Sequence, residues 1–395
     1  MVTIASLMLA AALDADVTRV VTLQEAVAAA DAAPELEAAR ASERAADASI
    51  KLARRLPDPT LSFTTNSVTA REALAAALPL PWPARGRRID AARAELASAG
   101  RGRESARAST RRQLRAAWFA LASAEDRARA VADRQLRAQR NAEAVDALFQ
   151  QGRVARLDQV RAEAEAALAL SERAAADEAR DTAAAVLAAL MHLETSAPLG
   201  TGEARPMPEP EGELEACVSR AREASPDVRV QAAEVDAASA RWQVARKLQV
   251  PAFELNLGVD WNDPTAPGTN KAIGLSFNVP LTGGASSAVA EAERDRQMAL
   301  LAREKRDAGA AAEAAWRATR AARLRYEAID GRLLPAAREG AQLARLAYRE
   351  GKADVFRLLE AERLLSDAEL ARADAYEAWG VAGADRLRAT DEAER

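Results

Sequence analysis

The sequence is poor in the residues that most often build catalytic and metal sites. Its 395 residues include one cysteine, Cys217, and one histidine, His192. A single cysteine excludes an intramolecular disulfide framework, and a single histidine excludes a histidine-rich metal site. Cys217 lies in an amphipathic helical stretch, so we expect it to be a small buried side chain. No metal site and no cofactor is predicted.

Other absences narrow the class of protein. Aromatic residues make up 4% of the chain, and the net charge is only −4 although 29% of the residues are charged. Acidic and basic residues alternate as on solvated helical faces, and no basic block suggests binding to nucleic acid. No apolar run reaches the roughly 18–20 residues of a membrane-spanning helix. Gly283-Gly284 lacks the spacing of a phosphate-binding loop, and no nucleophile–base pair is evident, so the sequence predicts no enzyme.

What the chain does contain is an internal duplication. Residues 34–63 align without a gap with residues 226–255. Later landmarks also pair: Leu80-Pro81 with Val279-Pro280, Trp118 with Trp316, and Phe149–Gly152 with Tyr348–Gly351. The period of roughly 200 residues is far longer than the repeat of a solenoid. The sequence therefore predicts one elongated body made of two similar halves.

Each half is predicted to run helix, short strand pair, very long helix, glycine turn and helix. An apolar run at residues 1–13 is interpreted as a truncated export signal, with a frayed helix end as the alternative. The first repeat covers residues 14–196, a linker rich in Pro, Gly and Glu covers 197–213, and the second repeat covers 214–395. The predicted elements are helices at about 22–56, 84–150, 153–193, 214–250, 286–350 and 352–389, and β-hairpins at about 60–80 and 252–281.

The second hairpin has the clearest local pattern. Apolar and polar residues alternate along both of its strands, as is typical of a transmembrane β-barrel, although a half-buried hairpin of a soluble domain has the same period. The residues predicted to face the membrane are Phe253, Leu255, Leu257, Val259, Trp261, Ile273, Leu275 and Phe277. Four strands per chain cannot close a barrel, and lipid does not tolerate an open sheet edge, so the pattern predicts a homo-oligomer.

The long helices also need neighbouring helices to cover their apolar residues. Leu114, Trp118 and Leu121 form a narrow apolar seam, and the many alanines permit close helix packing. The predicted fold is therefore mainly α with a small β part. It combines duplicated, long, antiparallel coiled-coil helical hairpins with two β-hairpins that contribute to an oligomeric transmembrane β-barrel, and it would form a water-filled conduit.

These features resemble the TolC-like outer-membrane efflux family over nearly the whole chain, from about residue 20 to 390. The resemblance is carried by the order of the duplicated elements together with Pro57-Asp58-Pro59, Tyr348-Arg349-Glu350-Gly351 and Leu358–Glu362. The stretch from Leu80 to Arg87 is similar to one common in the CzcC/CusC-like metal-efflux branch.

The resemblance implies a homotrimer with a 12-stranded barrel in the lipid of a Gram-negative outer membrane and a helical tunnel in the periplasm. A periplasmic adaptor and an inner-membrane pump, often of the resistance-nodulation-division type, would complete an efflux system whose cargo includes heavy-metal cations. The helical-hairpin turns for adaptor contact would be Gly152, Arg153, Gly351 and Lys352.

The resemblance also implies a periplasmic gate lined by acidic residues. Counted from the turn glycines, Asp158 and Glu360 match acidic positions, whereas another acidic position is Arg357 here and a family arginine is Ala353. A carboxylate ring of Asp158 and Glu360 would favour cations, and solvated helix-face charges are the alternative.

The alternative for the whole chain is a soluble periplasmic coiled-coil scaffold without channel activity. A periplasmic adaptor would need β-rich domains for which the sequence has no room.

Overall fold

The computed structural model describes residues 19–65, 71–80, 84–193, 199–202, 205–208, 210–261, 268–279 and 283–392. The predicted signal segment, both hairpin loops and Pro81–Pro83 lie outside these residues. The chain divides into two compact units. Unit 1 contains the chain up to Pro34, Arg107–Ala221 and the chain from Gly309, and unit 2 contains Glu35–Ala106 and Arg222–Ala308. Each unit therefore draws on both sequence repeats.

The elements of the first repeat follow the predicted order. They are β1 (Arg19–Val20), α1 (Leu23–Ala28), a 3-10 turn (Ala29–Ala32), α2 (Pro34–Arg54), β2 (Thr60–Thr65), β3 (Glu72–Leu80), α3 (Arg85–Gln150) and α4 (Arg156–Leu190). Thr22 caps α1: the Glu25 amide donates to the Thr22 hydroxyl at 3.2 Å, and the Thr22 amide donates to the Glu25 carboxylate at 2.8 Å.

The second repeat begins after the linker. Its elements are β4 (Leu199–Gly200) in the linker, then α5 (Leu214–Ala224), α6 (Pro226–Lys247), β5 (Ala252–Trp261), β6 (Asn270–Asn278), α7 (Gly283–Ala328), a π turn (Ile329–Leu333), α8 (Leu334–Arg349) and α9 (Val355–Thr390). Among the described helices, none combines the length and the hydropathy needed to cross a membrane.

Three predicted helices are interrupted. The helix predicted to run from Thr22 to about Leu56 is broken before Pro34, and the one predicted from Leu214 to about Val250 is broken before Pro226. Proline has no amide hydrogen and fits the first turn of a helix, so each proline starts a new helix. Ser225 caps α6 by accepting the Val228 amide at 3.3 Å. The long helix predicted at 286–350 is divided by the π turn.

The paired tryptophans anchor the two repeats in the same way within unit 1. Trp118 donates its indole hydrogen to the Val21 carbonyl at 2.9 Å, and Trp316 donates to the Gly212 carbonyl at 3.1 Å. Both acceptors lie just before the first helix of their repeat. Trp118 is only 1% exposed and belongs to the main hydrophobic core, with Leu114, Phe119, Leu121, Leu187 and Tyr376. The sequence pairing of the two tryptophans thus corresponds to one repeated contact.

The linker is held against the helices of unit 1. Thr201 donates its amide to the Glu125 carboxylate at 2.7 Å, and the Tyr376 hydroxyl donates to the Pro206 carbonyl at 2.9 Å. The Glu211 carboxylate accepts two hydrogen bonds from Arg323, at 2.8 and 2.9 Å. The described part of the linker is therefore fixed to these helices by hydrogen bonds.

Candidate functional site

The two β-hairpins join into one antiparallel sheet in unit 2, with strand order β2-β3-β5-β6. The register pairs Ala76 with Leu61 on one side and with Leu257 on the other, and it pairs Phe277 with Phe253. Pairing gives β3 its strand conformation even though its sequence, rich in alanine, is equally suited to a helix. Among the described residues, β2 and β6 each pair on one side only, so both edges of the sheet are open.

All eight residues predicted to face the membrane lie on the same face of this sheet. In an antiparallel sheet, directly paired residues point to one face and their neighbours in sequence to the other. The register adds Leu61, Phe63, Leu74, Leu78 and Leu80 to that face, and it places the charged Glu72 and Lys271 at the end of the face next to the hairpin loops. On the edge strand β6, Ile273 is 80% exposed and Leu275 63%. A contiguous exposed apolar face of this kind indicates a non-aqueous contact surface.

The opposite face carries small and polar side chains. Its members include Thr60, Ser62, Thr64, Ala73, Ala75, Ala77, Pro79, Glu254, Asn256, Gly258, Asp260, Asn270, Ala272, Gly274 and Ser276. The Asn256 amide donates to the Ser276 hydroxyl at 2.7 Å, and Asp260 pairs with Arg71. The sheet thus has one face suited to lipid and one suited to water.

The second candidate region, in unit 1, is formed by the turns that end the long helices. At the first turn, Gly152 has φ +70°; its amide donates to the Phe149 carbonyl at 2.8 Å, and the Arg153 amide donates to Leu148 at 2.9 Å. This pattern is a Schellman motif, in which glycine is favoured because φ is positive.

The turn of the second repeat has the same geometry. Gly351 has φ +72°, its amide donates to the Tyr348 carbonyl at 3.0 Å, and the Lys352 amide donates to Ala347 at 2.8 Å. Arg153 and Lys352 are exposed beside the two glycines. The two turns, Gly152-Arg153 and Gly351-Lys352, are the tips of the helical hairpins. Both tips have the same backbone shape and carry a basic side chain.

The two tips pack together through a small core. Val145, Ala162 and Val355 are buried in it, with Val154, Tyr348 and Leu359 against them. Asp158, in the first turn of α4, is half-buried, whereas Arg357 and Glu360 on α9 are exposed. Burial raises the pKa of the Tyr348 phenol, and the nearby Asp158 carboxylate raises it further. The structure thus places Asp158 beside the second tip.

The charge pattern of the tips is reversed between the repeats. Counted from the turn glycines, Asp158 corresponds to Arg357, and Arg161 corresponds to Glu360. Asp354 caps α9 by accepting the Arg357 amide at 2.9 Å, whereas Ala155 gives α4 no side-chain cap.

Sequence reasoning missed a set of ion pairs between the helices that lead into and out of the tips. The buried Arg134 of α3 contacts Glu165 at 2.7 Å and Glu172 at 2.6 Å on α4. The buried Glu362 of α9 accepts from Arg345 of α8 at 2.8 Å and lies 3.1 Å from Arg137. These charges are interhelical contacts rather than solvated faces. The seven-residue spacing of the carboxylates, 165 with 172 and 362 with 369, is the signal that could have revealed them.

The lone cysteine and histidine have structural positions. Cys217 is 6% exposed, as expected, and burial raises the pKa of its thiol. His192 has φ +55° at the end of α4, where its amide donates to the Ala189 carbonyl at 3.1 Å. Within the described ranges, no group of three or more His, Cys, Asp or Glu side chains is arranged to hold a metal ion.

Comparisons with known proteins agree with this architecture. Residues 217–385 match the family model described as outer membrane efflux protein. None of the curated proteins compared with the chain matches it significantly. Among solved structures, CusC is 16% identical with a TM-score of 0.77, covering 94% of this chain and 93% of its own.

Two further solved structures are also similar in fold. The CmeC outer membrane channel of Campylobacter jejuni is 16% identical with a TM-score of 0.78, covering 93% of this chain and 85% of its own. The outer membrane protein VceC of Vibrio cholerae is 17% identical with a TM-score of 0.74, covering 93% and 95%. At these identities the similarities establish the fold, and they confirm the predicted fold class. Together with the family match in the second repeat, they confirm the resemblance of the chain to the TolC-like outer-membrane efflux family.

Proposed function

We propose that the chain is the outer-membrane exit duct of a tripartite efflux system in a Gram-negative bacterium. The observation that supports this most directly is the amphipathic sheet with two open edges. Its apolar face suits lipid, but lipid leaves an unpaired edge without hydrogen-bond partners. The edges of β2 and β6 therefore need strands from other copies.

The oligomer we propose is a homotrimer. Three chains would supply 12 strands, enough to close a barrel with a polar interior. The helical hairpins of both repeats would continue this barrel as a periplasmic tunnel. Transport would be passive, because the energy would come from the inner-membrane pump.

The matched tips are the proposed docking points for a periplasmic adaptor. Gly152 with Arg153 and Gly351 with Lys352 present two nearly identical turns per chain. A trimer would display six such tips, so one adaptor sequence could recognise both repeats. The inner-membrane pump, which we propose to be of the resistance-nodulation-division type, would be joined to the duct through that adaptor.

The proposed cargo is a heavy-metal cation. The proposal rests on the stretch from Leu80 to Arg87 and on the similarity of the fold to CusC. Since the described residues offer no metal-holding cluster, we assign cargo selection to the pump.

The tips also carry the proposed gate. Asp158 and Glu360, repeated by symmetry, would place carboxylates around the tunnel end and favour cations, with Arg357 interrupting the ring. We expect Asp158→Asn and Glu360→Gln to lower the cation preference of single channels, measured as the reversal potential in a salt gradient. Glu178→Gln, an exposed carboxylate farther along α4, is the control. Unchanged selectivity in both tip variants would remove the ring from the proposal.

Fractionation of cells producing the full-length protein tests the proposed location and assembly. The protein should be recovered in the outer membrane and should cross-link as a trimer in detergent. Recovery as a soluble monomer would support the coiled-coil scaffold instead and contradict the duct.

A further inference from the structure

The second repeat contains a π turn that the first repeat lacks. Between α7 and α8, the Leu334 amide donates to the carbonyl of Ile329, five residues earlier, instead of four as in an α-helix. In the first repeat, α3 is α-helical without interruption from Arg85 to Gln150. The two long helices therefore differ at this turn.

The sequence contains one extra residue in that part of the second repeat. Trp316 follows Trp118 by 198 positions, whereas Gly351 follows Gly152 by 199. One residue has therefore been added between the tryptophan and the turn glycine.

The buried positions locate the added residue. Leu114 with Ala312, Leu121 with Thr319, and Val131 with Ile329 are buried pairs separated by 198 positions. After the π turn, the buried pair Ala138 and Ala337 is separated by 199 positions. The change in spacing falls between Ile329 and Ala337, where the π turn lies.

A wide turn can absorb one residue without rotating the rest of the helix. In an α-helix each added residue rotates all residues C-terminal to it by about 100°, which would turn the buried face of α8 away from α9. That face is intact: Leu334, Ala337 and Ala341 pack against Leu365 and Ala368. The π turn preserves this packing despite the insertion.

The same segment collects several features that weaken a helix. Gly331 lies inside the turn, and Pro335, at the second position of α8, has no amide hydrogen to donate to the preceding turn. The Asp330 carboxylate forms an ion pair with Arg372 at 3.4 Å, and this pair links the turn to α9. We propose that the π turn at Ile329–Leu333 absorbs a one-residue insertion and gives the second repeat a flexure point absent from the first.

Hydrogen exchange of the full-length protein tests this directly. In the wild type, amides at 329–334 should exchange faster than those at 131–135 of α3. Deletion of Gly331 should convert the turn into continuous α-helix, leave the packing of α8 on α9 intact, and slow exchange at the site on the order of tenfold. A Cβ built at Gly331 would meet nothing within 4 Å, so this position faces open space.

Deletion of Gly340 in α8 is the matched control. It also removes a glycine whose Cβ would meet nothing within 4 Å, but it puts part of α8 out of phase, so exchange should rise in α8 and around Leu365. If both deletions raise exchange in α8 equally, the proposed insertion is wrong. If the Gly331 deletion variant folds and its exchange at the turn is unchanged, the proposed flexure point is wrong. The measurement needs no transport partner, so its failure would leave the proposed function untouched.

Discussion

At the scale of single residues, Gly380 of α9 has the tightest packing requirement among the described glycines. A Cβ at this position would lie 2.1 Å from Cγ of the Phe119 ring, inside the main core of unit 1. Phe119 is itself held by edge contacts with Trp118 and Tyr376, at ring-centroid distances of 5.3 and 5.4 Å. The ring therefore has little room to move aside.

We expect Gly380→Ala to destabilise the protein by about 1–3 kcal/mol, the usual cost of overpacking a core. The measurement is thermal unfolding followed by circular dichroism. Gly383→Ala, on the same helix as Gly380, is the matched control, because its Cβ would lie at an ordinary 3.7 Å from Pro208 of the linker. Equal melting temperatures for the two variants would show that Phe119 does not restrict this position.

Because of Tyr376, we expect the stability of unit 1 to fall as the pH becomes alkaline. Burial raises the pKa of its phenol above the value of about 10 expected in the unfolded chain. The folded state therefore holds the proton more tightly, so the contribution of Tyr376 to stability is complete below pH 10 and falls as the pH rises further.

The expected result is that wild-type stability declines above about pH 10 more steeply than that of Tyr376→Phe. The phenylalanine variant loses the hydrogen bond to Pro206 at every pH, so the comparison concerns the slope rather than the absolute melting temperature. Some slope should remain, since burial also raises the pKa of Tyr326. Identical slopes would mean that Tyr376 ionises equally in both states.

At the scale of elements, the two faces of β6 give the sharpest contrast. Leu275 lies on the apolar face and Ser276 on the polar face, one position apart. If the apolar face contacts lipid, Leu275→Arg should cost about 2–4 kcal/mol near the bilayer midplane. Ser276→Arg would place its charge on the water-facing side, where that cost does not arise.

Outer-membrane recovery of the two variants, compared by quantitative immunoblotting, checks this expectation. Leu275→Arg should be depleted from the outer membrane, whereas Ser276→Arg should be recovered like the wild type. Equal recovery would argue that the exposed apolar face is covered by protein rather than lipid.

The elements also show how far the sequence could be interpreted. The alternation of Phe253 and Leu255 with polar neighbours predicted β5 correctly, because that pattern depends on local periodicity. Local periodicity does not account for β3, since Glu72–Ala77 gains its strand conformation from pairing with β2 and β5 rather than from its own preference. The breaks before Pro34 and Pro226 were missed although both prolines open the aligned segments.

The candidate tips were recognisable for a physical reason as well. Gly152 and Gly351 are needed at positive φ, so each glycine marks a turn in the sequence itself. The burial of Arg134 and Glu362 could not be inferred in the same way, because alternating charges look alike on a solvated face and between two helices. Apart from the seven-residue spacing of the carboxylates on α4 and α9, only the packing of α3, α4, α8 and α9 distinguishes the two.

At the scale of the whole molecule, the duplication has a physical role. Two hairpins per chain provide the four strands of one sheet, and two long helix pairs provide two matched tips. Three chains would then present 12 strands and six tips, which is the arrangement we propose for the duct. The repeats differ in the π turn and in the charges beside the turns, and these differences would let the two tips act differently.

The central claim is that several copies of this chain form a water-filled channel through a bilayer. Single-channel recording of the purified oligomer in planar lipid bilayers tests it most directly, with the oligomer mass measured in the same preparation. We predict stepwise, ohmic conductance from a trimer. A trimer or monomer that produces no conductance steps when it is added to the bilayer would contradict the account.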